Sequence, residues 1–167
     1  GAPFIIRVVL NLSSALNGLS QAFMGAAGLI GGIIAGIIAN KFRTDKIYWL
    51  FWIMGISIAA FGSSLLFKFS PNLIYIIFVI ISIVVFISAS IAGIFIMSAI
   101  QQNVPDDMLG RIMSFYSAIV SVALPIGILF YGSLYEKFIN HLSAIMFLTS
   151  ASILVVGYIG KKTYRHL

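Results

Sequence analysis

Charged side chains are missing from most of this sequence. Residues 8–40, 47–67, 69–105, 112–135 and 138–160 contain no Asp, Glu, Lys or Arg. A helix needs about 20 apolar residues to cross a bilayer core, and each stretch reaches that length. Placing a charge at the centre of such a helix costs about 2.5–3.5 kcal/mol even on lenient scales, so immersion in lipid selects against it. Only 8% of the chain is charged, against roughly 25% in soluble domains. Barrel strands would alternate apolar and polar residues, whereas residues 73–85 are apolar on every side. Hydrocarbon also requires backbone groups to be satisfied internally, which favours helices here. The expected fold is all-α: a polytopic membrane helical bundle of about five complete transmembrane helices plus an N-terminal partial helix.

Residues 1–12 read as the end of a truncated transmembrane helix and a loop. Residues 13–167 read as one five-helix membrane segment, with helices at about 14–40, 47–67, 71–102, 112–135 and 141–160. Ser13 or Ser14 is placed to cap the first complete helix. Ser70-Pro71 supplies a cap followed by proline at the first helical position, and Asn140 is placed to cap the last helix. The chain begins with Gly rather than Met, and its apolar start precedes Arg7 instead of following a basic region. That order is not a signal peptide's, and the start reads as an internal cut through a longer protein. Lys41, Arg43, Lys46, Arg111, Lys161, Lys162 and Arg165 fall on one side, and only Arg7, Lys68 and Lys137 on the other. Basic loops stay inside, so the chain is expected to be multi-pass in the cell membrane with its C-terminus cytoplasmic. Tyr48, Trp49 and Trp52 then sit at interfacial depth, where amphipathic rings anchor.

Several chemistries are unfavoured. The net charge is +6, but the basic residues are scattered among short gaps, so no nucleic-acid partner is expected. There is no cysteine, which removes disulfides and thiolate metal sites. Asp45, Asp106, Asp107 and Glu136 all lie in gaps, so no acid pair, metal cluster or nucleophile motif forms within the apolar stretches. The reading is of a non-enzyme with no cofactor and no metal.

Two backbone features stand out. Gly18, Ala22, Gly25, Gly28, Gly32 and Gly36 recur every three or four residues and share one helix face. Such a face lets another helix approach closely, either as static packing or as a sliding interface. Pro125 lies mid-membrane with Gly127 close behind. It removes one helical hydrogen bond and frees the carbonyl near Ser121, giving either a fixed kink or a hinge. Tyr116, Ser117 and Ser121 share a face near that point. With Gln21, Met24 and Tyr131 they are the substrate-path candidates, although ordinary packing and local backbone hydrogen bonding also account for such residues one by one.

The order of segments resembles the C-terminal half of a major facilitator superfamily transporter, in the macrolide- and drug-efflux-like branch. The strongest likeness is QNVPDDMLGRIMS at 102–114, which is similar to that branch's cytoplasmic connection. There Pro105 starts a turn, Asp106 and Asp107 favour a helix N-terminus, and Gly110 and Arg111 lead into the next crossing. A second likeness runs from Gly36 through Asn40, Lys41, Arg43 and Asp45, and resembles the family's G-x-x-x-D-R-x-G-R-R loop. Asn40 stands at its acidic position and Arg43 at its glycine, so Lys41 and Arg43 read equally as orientation charges. The resemblance implies a substrate held between two six-helix halves that rock around it. The first, third and fourth complete helices would face the cavity, and the second and fifth the lipid. It implies export of a small or amphipathic molecule, with the missing N-terminal half or a second copy as partner. The alternative is a membrane scaffold or assembly subunit that binds a partner helix through its glycine face.

Overall fold

Each uncharged stretch becomes one helix, and the breaks between them follow from backbone chemistry. The computed structural model of the chain describes residues 2–39, 47–67 and 69–164. The short helix α1 (Ala2–Phe4) runs into a π-helical turn, Ile5–Val9. Asn11, at a φ of 51°, then turns the chain toward α2 (Ser14–Ile38); Asn is among the few residues that adopt this left-handed conformation readily. Ser13 caps α2 by accepting from the Leu16 N–H at 3.4 Å. Next come α3 (Ile47–Ser64) and α4 (Pro71–Asn103). Pro71 occupies the first turn of α4, where its missing N–H costs nothing. The long α5 (Asp106–Lys137) and a 3-10 turn (Ile139–His141) lead into α6 (Leu142–Tyr164). No strand occurs among the described residues. Among the described residues, five helices, α2 to α6, are long and apolar enough to cross a membrane. The chain is a multi-pass helical membrane bundle.

Charge marks where lipid ends, and helices overrun that mark. The fourth crossing was expected to start at 112, yet α5 begins at Asp106, leaving only Val104 and Pro105 as the connection. Asp106 and Asp107 sit in its first turn, where negative charge complements the helix dipole. The last helix likewise runs past 160 to Tyr164, with Lys161 and Lys162 in its final turn. Conversely α3 stops at Ser64 rather than 67, because Leu65 and Leu66 already turn, and α2 closes at Ile38.

The bundle is held by three helix pairs: α3 against α6, α2 against α4, and α3 against α4. Each of the first two pairs closes over glycine. A Cβ at Gly31 would lie 2.7 Å from the Ile87 carbonyl oxygen and 2.8 Å from the Ser90 Cβ. On α3, Gly55 faces Leu154 and Gly62 faces Met146, while Gly157 of α6 faces Trp52. Hydroxyls lock the same seams. Tyr75 donates to the Leu16 carbonyl at 2.8 Å, Ser90 to the Gly28 carbonyl at 2.9 Å, and Ser150 to the Gly55 carbonyl at 2.7 Å. In lipid such bonds average about 0.6 kcal/mol each. They fix register more than they supply stability.

The expected glycine face is not the packing face. Nothing lies within 4 Å of a Cβ built on Gly18, Gly25, Gly28 or Gly36, and Gly32 meets only Ile94 at 3.8 Å. The buried stripe of α2 is Ser20, Met24, Ala27, Gly31 and Ala35. Small residues permit close approach without compelling it, and α4 settled on the neighbouring stripe. α3 lies between α4 and α6. α5 has Tyr135 as its one buried residue among the described ones; it packs on α6 and the 3-10 turn, and Tyr135 stacks on Phe4.

Candidate binding cavity

Two apolar clusters divide the bundle along its length. One gathers Ala35, Ile47, Leu50, Ile91, Ala92 and Phe95 near the Asn103 end. The other, toward the Ser14 end, joins Ile5 and Ile6 to Met24, Phe61, Phe78 and Met146. The second cluster is incompletely filled. It surrounds a cavity of about 410 Å³, to which every helix from α1 to α6 contributes. Phe61 and Phe78 pack at 5.4 Å on one wall. Gln21 and Met24 of α2 and Ser82 of α4 face it, as do Tyr135 of α5 and Thr149 of α6. Binding sites for small molecules commonly have volumes of about 300–1,000 Å³, mostly apolar with a few polar groups, and this cavity has that character.

A second space of about 620 Å³ lies between α5 and α6, floored by Phe51 of α3. It runs along Leu124, Gly127 and Tyr131 on one side and Ser152 and Val156 on the other. The two helices meet near the 3-10 turn and part beyond it, so the space is a wedge. Tyr135 and Thr149 line both spaces and form the neck between them. Thr149 Oγ1 donates to the Ile145 carbonyl at 2.8 Å and lies 3.2 Å from the Tyr131 hydroxyl. The threonine proton is thus committed to the backbone, and Tyr131 donates across to it. Tyr135 is 7% exposed. Its ring stacks on Phe4 at 5.7 Å and tilts against Tyr131 at 5.9 Å. Among the described residues its hydroxyl has no hydrogen-bond partner.

The sequence candidates divide accordingly. Gln21 and Met24 reach the inner cavity, and Tyr131 and Gly127 reach the wedge. Tyr116, Ser117 and Ser121 lie outside both spaces, and Ser117 and Ser121 face away from the bundle. Pro125 sits within α5 without ending it, also facing outward. Pro105, Asp106, Asp107, Gly110 and Arg111 lie at the Asn103 end, exposed, far along α5 from Tyr135. Asn40, Lys41, Arg43 and Asp45 lie outside the described residues, as do Lys46, Lys68 and Arg165. The sequence alone does not mark Tyr135, Ser82 or Thr149 as path residues. The spacing of Tyr131 and Tyr135, four residues apart on α5, was the available signal. At the other end, Lys161 stands 5.4 Å over the Tyr48 ring and 5.5 Å over Trp52, an arrangement suited to an interfacial anchor.

No protein-family model matches this chain, no curated protein matches it, and no solved structure matches its fold.

Proposed function

We propose that this chain is the C-terminal part of a secondary active transporter of the major facilitator type, which exports a small or amphipathic molecule by alternating access. The observation that carries this reading is the inner cavity: a largely apolar chamber with a few polar groups, at the meeting point of all the helices. A static bundle gains by filling such space, since each lost methylene contact costs stability. The loose attachment of α5 adds support, because it closes one side of the chamber through Tyr135 alone. The missing half of the transporter, or a second copy, covers the open face of α5. The excess of Lys and Arg in the gaps on one side supports a cell-membrane protein with a cytoplasmic C-terminus.

Since the chain has no cysteine, single cysteines at Gln21, Ser82 and Thr149 can be probed without background. A transporter in its membrane exposes them to a water-soluble maleimide from both sides, in proportions that shift when substrate is added. Labelling from neither side, with or without substrate, sinks the transport reading. That result would favour a membrane scaffold. The open Gly18, Gly25 and Gly36 of α2 give the scaffold reading its support, since they leave room for a partner helix.

A further inference from the structure

We infer that the joined cavities take an uncharged, mainly apolar molecule carrying an acceptor oxygen, such as a ketone, ester or ether, which bonds the Tyr135 hydroxyl at the neck. The inference rests on reading the inner cavity as the substrate chamber and specifies what that chamber selects. Three observations converge on it. Among the described residues lining the two spaces there is no Asp, Glu, Lys, Arg or His. A charged ligand would therefore lose its hydration with no counter-charge to replace it, which costs far more than stripping water from a ketone. Next, Tyr135 is buried at 7% exposure, faces both spaces, and its hydroxyl has no partner among the described residues. Its hydroxyl opens onto them, and a ligand oxygen that accepts its proton there makes a hydrogen bond shielded from bulk water. Finally, the neighbouring hydroxyls are already engaged: Thr149 donates to the Ile145 carbonyl, and Tyr131 lies at bonding distance from Thr149. Tyr135, Ser82 and the Gln21 amide are thus left to donate to an acceptor oxygen on the ligand.

A lipid acyl chain could fill the wedge, but it brings no oxygen to the neck. A hydrocarbon of matching bulk separates the two cases. The test is equilibrium binding of tritiated progesterone, a neutral steroid ketone, to the full chain in lipid nanodiscs. Tetraphenylphosphonium serves as a cation of similar bulk and androstane as an oxygen-free competitor. Progesterone is expected to bind saturably and to be displaced poorly by the other two. Tyr135→Phe keeps the ring stacked on Phe4 and removes only the hydroxyl; it is expected to weaken progesterone binding about five- to tenfold, the loss of one hydrogen bond. Tyr158→Phe, on an outward face of α6, leaves binding unchanged. Equal affinity of the wild type and Tyr135→Phe, androstane competing as well as the ketone, preference for the cation, or no saturable binding overturns the inference. The two readings part in the maleimide assay: saturable, Tyr135-dependent binding with labelling from neither side upholds the inference and defeats the transporter reading, whereas substrate-shifted labelling without Tyr135-dependent progesterone binding does the reverse.

Discussion

Gly31→Ala is the sharpest test of how the bundle is held. The added Cβ would lie 2.7 Å from the Ile87 carbonyl oxygen, 3.1 Å from the Ile87 Cα and 2.8 Å from the Ser90 Cβ. Two of these atoms are backbone, which cannot rotate away as a side-chain tip can. Helices α2 and α4 must separate by several tenths of an ångström. Overpacking of this kind costs about 1–3 kcal/mol. The same shift stretches the Ser90–Gly28 hydrogen bond, now 2.9 Å, worth about 0.6 kcal/mol in lipid. The two losses share one contact and do not simply add, so the expected destabilisation is about 2–3 kcal/mol. Gly25→Ala is the matched control, with nothing within 4 Å of the new carbon. It should be neutral or gain up to about 1 kcal/mol from helix propensity. Reversible unfolding in mixed micelles with rising SDS, followed by circular dichroism, measures both. If Gly31→Ala unfolds at the same SDS fraction as Gly25→Ala, α2 and α4 do not meet at Gly31 and the packing scheme fails.

Other consequences are open to direct measurement. Ser150→Ala removes the buried bond to the Gly55 carbonyl and should cost about 0.6–1.7 kcal/mol in the same SDS titration; no loss would mean that α3 and α6 are not locked there. Lys161→Gln removes a cation from above Tyr48 and Trp52. A loss of about 0.5–1 kcal/mol is expected, and an unchanged midpoint would show the contact to be idle. A nitroxide at Ile126, 60% exposed, should show high oxygen and low nickel-chelate accessibility in nanodiscs, as lipid-facing sites do. High nickel accessibility would contradict the membrane placement of α5. Pro125→Ala restores one backbone N–H and should slow amide exchange over residues 121–125; unchanged exchange would show that the proline is not what loosens α5.

The helices were legible because lipid imposes a crude and long-range rule on composition. Their ends were less so, since Asp106, Asp107, Lys161 and Lys162 are unwelcome in hydrocarbon but well suited to helix termini. The packing was harder to read. α2 carries small residues on adjacent faces, and nothing in the local spacing ranks Gly31 and Ala35 above Gly32 and Gly36. That choice belongs to α4, through Ile87 and Ser90, far away in the chain. The cavity shows the same division. Gln21 and Met24 stood out as a polar group and an adaptable side chain within an apolar stretch. Tyr135 adjoins Glu136 and Lys137, a setting that fits a headgroup-level ring as well as a cavity residue. Its inward direction depends on the phase of α5 about its own axis, which only the contact with Phe4 and α6 sets.

Three hydroxyl locks between helices end on main-chain oxygens, those of Leu16, Gly28 and Gly55. Peptide oxygens survive any replacement of the side chain beside them, so each lock is vulnerable from one partner only. Deep mutational scanning should therefore find Tyr75, Ser90 and Ser150 intolerant of residues lacking a hydroxyl. At Gly55, where space is tight, bulk alone should be penalised; Leu16 and Gly28 should accept most apolar replacements. Sequence drift can thus proceed on one member of each pair while the alignment of the two rods is kept.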